Sequence, residues 1–410
     1  MGENVGREVE LSVDRIAHGG IAVGRLDGRV VFVSDAIPGE RVRARISDDR
    51  KKSFWRADAV EVLEASEHRR EHVWAAASID RDPRQRAGGA EFGHIALSHQ
   101  RELKRQVLAE ALQRMAGLSS EVRVEQLPGD HAANGLGWRT RIRLHVDDEG
   151  RIGPMASRSH TVIPVTDAPL ASPAVQAAIP FAERFVGLPT VDVLAPTVGD
   201  ARLVLGEQKP SIITERVGER TFRLDDTGFW QVHREAPAAL TAAVQAAIDD
   251  AIFDPRAANL DLYGGVGLLA AAVGDRFGPA TRITTVEADE RATEHAAENL
   301  AEWVGAAAVT ARVDRFLREL EASASAAERA RLRAATVVLD PPRSGAGTEV
   351  MGALGRLKPA QLVYVACDPV ALARDVALAA EHGYRLAGLR AFDLFPHTHH
   401  VEAVASLVRD

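Results

Sequence analysis

Residues 257–288 read AANLDLYGGVGLLAAAVGDRFGPATRITTVEA, and the fold of the C-terminal half turns on this stretch. A short apolar run ends at Tyr263 and meets Gly264, Gly265 and Gly267; an Ala- and Leu-rich helical segment follows, then a second apolar run ending on an acid, Glu287. Strand, glycine turn, helix and strand make a βαβ unit. Glycines at such a turn let the backbone approach a ligand closely, and a carboxylate roughly 20 residues further on is placed to bind a ribose hydroxyl pair. The spacing is not G-x-G-x-x-G. It tilts the reading from a dinucleotide towards an adenosine cofactor without a pyrophosphate, against the plainer alternative of a glycine-rich packing turn.

The same alternation extends outward. From about residue 226 onward come a helix (APAALTAAVQAAIDDAI), the unit above, a helix (DERATEHAAENLAEWV), strands TVVLD and QLVYVAC, a helix (PVALARDVALAAEHG) and a final strand VEAVASLV. Apolar strands alternating with helices predict a parallel sheet covered on both faces, with its ligand sites at the carboxyl ends of the strands.

Residues 1–65 have a different texture. EVELSVDRI, GIAVGRL, GRVVFVSDAI, ERVRARI and WRADAVEVLE are short β-branched runs separated by Gly19-Gly20, Asp27-Gly28 and Pro38-Gly39 turn signals. Five such strands predict a small OB-like barrel. Its basic stretch, Arg41, Arg43, Arg45, Arg50, Lys51, Lys52 and Arg56, is interleaved with Phe54 and Trp55, a combination suited to phosphates and stacked bases. A solvated strand edge with two core aromatics reads equally well. Residues 66–225 mix a polar helix (98–117, ending at Gly117) with strand-like runs WRTRIRLHVDD, RIGPMASRSHTVIPV, ARLVLGE and PSIITERV, and are expected to form a central α+β domain between the barrel and a C-terminal domain of 226–410.

Three further motifs fall at the predicted strand ends. Asp340-Pro341-Pro342-Arg343 follows TVVL directly, and its prolines stop the strand so that Asp340 projects into the cleft; blandly, it is a rigid exit turn. Tyr364-Val365-Ala366-Cys367-Asp368-Pro369 sets Cys367 between a strand and a helix, with Asp368 as N-cap and Pro369 at the first helical position. A thiol at that address is expected to have a lowered pKa and to be a nucleophile, whereas a lone cysteine is otherwise a small buried hydrophobe. In Phe395-Pro396-His397-Thr398-His399-His400-Val401-Glu402, Glu402 heads an apolar strand and suits a general base; a surface acid, or a metal site of His397, His399 and His400, competes with that reading.

Composition narrows the classes. With 410 residues, 46% hydrophobic and 26% charged, the chain is expected to hold two or three domains. One cysteine cannot make an intramolecular disulfide or a thiolate cage for zinc or an iron–sulfur cluster. The net charge of −8 argues against a uniformly basic coat, so a nucleic-acid partner needs a local patch. No secretory leader and no run of about eighteen apolar residues is visible, so a cytoplasmic protein without membrane contact is expected, as a monomer.

Taken in order, FWQVH (229–233), DLYGGVG, DPPR, CDPVALARD and FPHTHHVE resemble the RNA uracil-5-methyltransferases, over nearly the whole chain. The first domain resembles TRAM, an RNA-binding module. The resemblance implies a Rossmann-like methyltransferase domain, S-adenosylmethionine as cofactor, and RNA, ribosomal rather than transfer, as substrate. It implies Cys367 as nucleophile and Glu402 as base. Gln231, Tyr263, Gly265, Gly267, Glu287, Asp314 and Asp340 are then cofactor contacts, and Phe229 and Arg343 substrate contacts. The chain departs from the family at His233 and Leu268. AGGAEFGHI (87–95) looks like the segment that carries cluster-binding cysteines in some members, and with Ala87 and Ala90 in those places no iron–sulfur cluster is expected. An NAD-dependent dehydrogenase would use the glycine turn and Glu287 but leave Cys367 and Glu402 idle, and an RNA-binding protein or chaperone with a decayed catalytic domain is the second alternative.

Overall fold

The computed structural model describes residues 3–206 and 208–409. Glu207, at the end of the run ARLVLGE, lies outside the described residues.

Strands Glu8–Ala17, Ile21–Leu26, Arg29–Ser34, Arg41–Asp48 and Phe54–Glu64 close into a barrel. The register follows from alternation: Val9, Leu11 and Val13 on the first strand and Val42, Ala44 and Ile46 on the fourth point inward, with polar residues between them. Asp27 and Gly28 form a two-residue hairpin turn, both at positive φ. The outward positions carry a ladder of charge pairs, Arg41 and Arg43 with Glu10 and Arg45 with Glu8. Much of the basic stretch is thus neutralised within the barrel. Trp55 belongs to the core with Arg29 over its ring at 4.3 Å, so for that residue the bland reading holds.

Two ion pairs, largely buried, fasten the barrel to the central region of the chain. Glu40, fully buried, accepts from Arg69 at 2.6 and 2.7 Å and from the backbone of Ile37 and Ser66. Arg86 donates to Asp35 and to the carbonyls of Ala59, Ile79 and Arg81. Removing one partner of such a pair costs far more than the pair itself contributes, because it leaves a buried charge unmatched. Ala87 and Ala90 pack into an apolar cluster with Trp74 and Trp138. Beyond lie a four-stranded antiparallel sheet (Arg202–Leu205, Thr190–Leu194, Arg141–Val146, Ile152–Gly153) and the hairpin Ile212–Val217 with Arg220–Asp225.

The largest sheet has eight strands, in the order Ala306–Thr310, Ile283–Glu287, Asn259–Leu262, Thr336–Leu339, Gln361–Ala366, Glu402–Arg409, Tyr384–Asp393, Val124–Gln126. The first five are parallel. Glu402–Arg409 runs antiparallel to both neighbours, because Tyr384–Asp393 returns through a short loop with no crossover helix. The wholly parallel sheet expected from the sequence is corrected in that respect. Side chains alternate across the sheet. Leu260, Leu262, Val337, Leu339, Leu362 and Tyr364 face helices Leu97–Ala116, Val313–Ser323, Gly347–Leu357 and Pro369–Glu381; Val338, Val363, Val365 and Val404 face Ala236–Ala247 and Leu268–Phe277. The strand order reverses between Asn259–Leu262 and Thr336–Leu339, which opens a crevice at their carboxyl ends. No described helix is long and apolar enough to cross a membrane.

Candidate active site

The glycine turn sits at that reversal. Tyr263, Gly265 and Gly267 all take positive φ (62°, 53° and 90°), and a Cβ on Gly265 would meet nothing within 4 Å, so its backbone lies open to a ligand. Gly264 has no such room, since a Cβ there would fall 1.9 Å from Thr285 Oγ1 and 2.5 Å from Asp261 Oδ2. Glu287 ends the neighbouring strand, and its Oε2 accepts from Gly265 N at 3.1 Å while Oε1 accepts from Ala288 N and Asp289 N. Tyr263 is half-buried, and burial, then Asp314 and Asp375, push its phenol up to about 12. Asp314, in the first turn of Val313–Ser323, is held ionised by Arg312 at 3.1 Å. Beneath the turn Asp261 is fully buried, bonded to Thr285 Oγ1 and Ala270 N, and burial pushes its carboxyl up to about 7.

Across the reversal, Asp340 follows the strand Thr336–Leu339, anchored by its N–H on Leu262 O. Burial, then Asp261, push its carboxyl up to about 7. Cys367 lies one strand further on. The antiparallel ladder ends at Ala366 opposite Ala403, which leaves Cys367 and Glu402 as the next opposed positions. Glu402 is buried, and burial, then Asp340, hold it well above the ordinary carboxylate range. No hydrogen bond from a described residue relieves either Asp340 or Glu402.

Asp368 caps the following helix as expected, accepting from Val370 N and Ala371 N at 3.0 and 2.8 Å. The thiol, however, does not have the lowered pKa expected of that address. Burial, then Glu402 and Asp340, push Cys367 up to about 12, against an opposing pull from Arg343. The physical reason is local: burial disfavours the thiolate, the cap carboxylate takes the helix's first N–H groups, and the thiol faces two acids.

Cys367, Arg343, His399 and His400 line a cavity of about 200 Å³ with Lys104, Phe92 and the barrel turn His18–Gly20. This cavity adjoins a cleft of about 1340 Å³ between the barrel and the residues 143–161, whose walls include Arg45, Arg50, Arg56, Arg84, Arg143 and Arg158. The loop 394–401 that delivers Glu402 is braced by residues which sequence reading passed over. Lys104 Nζ bonds Asp393 at 2.5 Å and Phe395 O at 3.0 Å, the Lys104 and Asp393 side chains being buried. Gln100 holds His397 through its N–H and ring, and the His397 ring also reaches Asn134 O. His397 is therefore spent on structure, and among the described residues no His, Cys, Asp and Glu group is arranged to hold a metal. Lys104 and Gln100 continue, at i, i+4 spacing, the buried line of Leu108 and Leu112 on their helix, and as a charged and an amide residue they give no sign by type that they are buried.

Phe229 is 74% exposed and Gln231 half-buried, and neither lines the two cavities. His233 is buried, stacked on Trp138 and bonded to Asp130 at 3.2 Å, a structural use. Asp340, Arg343, Cys367 and Glu402 do come together, with Tyr263, Gly265, Gly267 and Glu287 at the adjoining strand ends. This donor set fits an adenosine-linked sulfonium. An open glycine turn and Glu287 suit the nucleoside, and Asp340 and Glu402, to which no described residue supplies a cation or a hydrogen bond, suit a positive charge.

Residues 2–60 match the TRAM domain family and residues 252–410 the tRNA (Uracil-5-)-methyltransferase family. An uncharacterized RNA methyltransferase of Streptomyces avermitilis is 36% identical, covering 98% of each chain. The 23S rRNA (uracil(1939)-C(5))-methyltransferase of Pseudomonas fluorescens is 30% identical, over 98% of this chain and 94% of that one. The crystal structure of the Pyrococcus abyssi tRNA (uracil-54, C5)-methyltransferase with S-adenosyl-L-homocysteine superposes with a TM-score of 0.70 at 22% identity, over 97% of this chain and 99% of that one, and shares the fold. The chain therefore belongs to the RNA uracil-5-methyltransferase family, enzymes that depend on S-adenosylmethionine.

Proposed function

We propose that the protein methylates carbon 5 of one uridine in 23S ribosomal RNA, with Cys367 as covalent nucleophile and Glu402 as the base. The observation that carries the mechanism is the opposition of Cys367, which lines a cavity with Arg343, and the buried Glu402 at the open end of a ladder, both beside Asp340. The Pseudomonas relative, aligned over nearly all of both chains, supports the ribosomal target.

Carbon 5 of uracil is a weak nucleophile. Addition of the Cys367 thiolate to carbon 6 forms an S–C bond and moves the ring's electron pair to carbon 5 as an enolate. S-adenosylmethionine, when bound, supplies the methyl group that this carbon takes. Glu402 then removes the carbon 5 proton, the pair re-forms the C5–C6 double bond, and the S–C bond breaks to return the thiolate. Burial and the neighbouring Asp340 raise the proton affinity of Glu402, which suits it to accept that proton. Tyr263, Gly265, Gly267 and Glu287 at the two strand ends, with Asp314 in the first turn of Val313–Ser323 and Gln231, hold the cofactor. Arg343 and the arginine-lined cleft take RNA phosphates, and Phe229, already exposed, offers a stacking face to an unstacked base.

Incubation with 5-fluorouridine 23S rRNA and cofactor should trap a covalent complex that Cys367→Ala abolishes. An adduct that persists in that variant refutes the nucleophile assignment. Glu402→Gln should accumulate adduct on ordinary uridine RNA, and methylation of transfer RNA in preference to 23S rRNA overturns the target.

A further inference from the structure

The cavity around Cys367 is not made by the methyltransferase sheet alone. The turn between the barrel strands Glu8–Ala17 and Ile21–Leu26 supplies His18, Gly19 and Gly20 to its wall. Gly20, at φ 71°, presses so closely on the loop 394–401 that a Cβ would lie 2.5 Å from His399 Cβ and 2.9 Å from Phe92 Cε1. Apolar contact anchors the approach, because Ile16 and Ile37 of the barrel share a buried cluster with Leu103 of the long helix.

One polar contact crosses from this turn to the catalytic helix. His18 Nε2 donates to Asp368 Oδ2 at 2.7 Å, while the other oxygen of that carboxylate caps the helix at Val370 N and Ala371 N. Asp368 is bonded to Cys367 in the chain, so a single carboxylate is gripped on one side by the barrel and on the other by the helix that follows the thiol. The interaction raises the histidine's pKa, which favours the charged, stronger form of the bond.

We propose that His18 is a positioning residue for the methyl-transfer reaction: by holding Asp368 from the barrel it fixes the strand end that carries Cys367 Sγ, and the barrel turn is a wall of the catalytic pocket. The barrel then has a second task besides contact with RNA, since its docking completes the geometry in which the thiol reacts. This rests on Cys367 being the nucleophile.

The test uses full-length protein, 5-fluorouridine 23S rRNA and S-adenosylmethionine. For His18→Ala we expect adduct formation at saturating RNA to slow about tenfold or more, as displacement of a reacting group does. The RNA concentration for half-maximal rate and the cofactor affinity should stay within about twofold, and His18→Gln, which keeps a donor without the charge, should recover part of the rate. A rise in half-saturating RNA with an unchanged maximal rate would assign the turn to RNA binding and overturn the proposal, as would wild-type kinetics in both variants. A loss of cofactor affinity alongside the rate would mark a general structural role and overturn it equally. If the wild type itself forms no adduct, the nucleophile reading fails first and takes this inference with it.

Discussion

The resting thiol should be slow, because burial and the two facing acids hold it protonated. Cys367 is pushed up to about 12 from an ordinary value of 9.0. At pH 8 that leaves roughly a thousandth of the thiolate an ordinary cysteine has. Each thiolate is intrinsically more reactive at the higher pKa, with a Brønsted slope of about 0.4–0.5, so reaction with a small disulfide such as dithiodipyridine should be about 30–60 times slower than for an unperturbed thiol. Glu402→Gln removes one of the two opposing acids. At an effective dielectric of about 20 and about 5 Å, the spacing of opposed ladder residues, a full charge contributes about 3 kcal/mol, or some two pK units. Because Glu402 is itself held well above the ordinary carboxylate range, less than the full effect, about one to two units, is expected, and hence a rate rise at pH 8 of roughly three- to tenfold. Chain composition makes the assay clean, since there is only one cysteine to report. The rate followed from pH 7 to pH 10 should climb without a plateau in the wild type. A plateau near pH 9, or a Glu402→Gln profile superimposable on the wild type, would refute the electrostatic account and leave shielding alone.

Asp340 is half protonated near pH 7 when folded but near 3.8 when unfolded, so the folded chain binds more protons between these values and its stability should fall as pH rises from about 4 to about 7. Asp340→Asn should flatten that slope and be more stable than wild type at pH 8 by about 1–3 kcal/mol in urea melts; equal or lower stability there counts against it. Lys104→Met strands Asp393 without its cation and should cost about 3–5 kcal/mol by thermal melting, a loss that Asp393→Leu added to it should largely reverse. Phe229→Ala should leave stability within about 0.5 kcal/mol while weakening RNA binding by about 1–3 kcal/mol in a filter assay, and unchanged RNA affinity would remove its stacking role.

The parts of the fold visible in the sequence are those with a strong period or strong punctuation. The barrel strands alternate cleanly, and the strand–glycine–helix unit at 259–277 carries its own boundaries. Ala306–Thr310 is invisible because an alanine-rich edge strand has neither a β-branched run nor alternation, and Val124–Gln126 because three residues make no period. At the site, Asp340, Cys367 and Glu402 announce themselves by standing at strand ends next to proline or an apolar run. What could not be read is their mutual effect. A helix N-terminus suggests a low thiol pKa, and burial, with the register that sets Glu402 across from Cys367, reverses the sign. His18 is hidden for another reason. Its partner is 350 positions away, a relation that no local pattern records.

Val124–Gln126 also bears on how the chain is made. The long helix Leu97–Ala116 and this strand are synthesised early, yet they pack against Pro369–Glu381 and pair with Tyr384–Asp393. About 250 residues of translation separate helix from helix, which at about 5–20 residues per second is roughly 12 to 50 s. Through that interval Leu108 and Leu112 have no native cover, while the barrel is already free to fold. The nascent chain therefore passes the middle of its synthesis with its first module free to fold and the partners of these leucines not yet made.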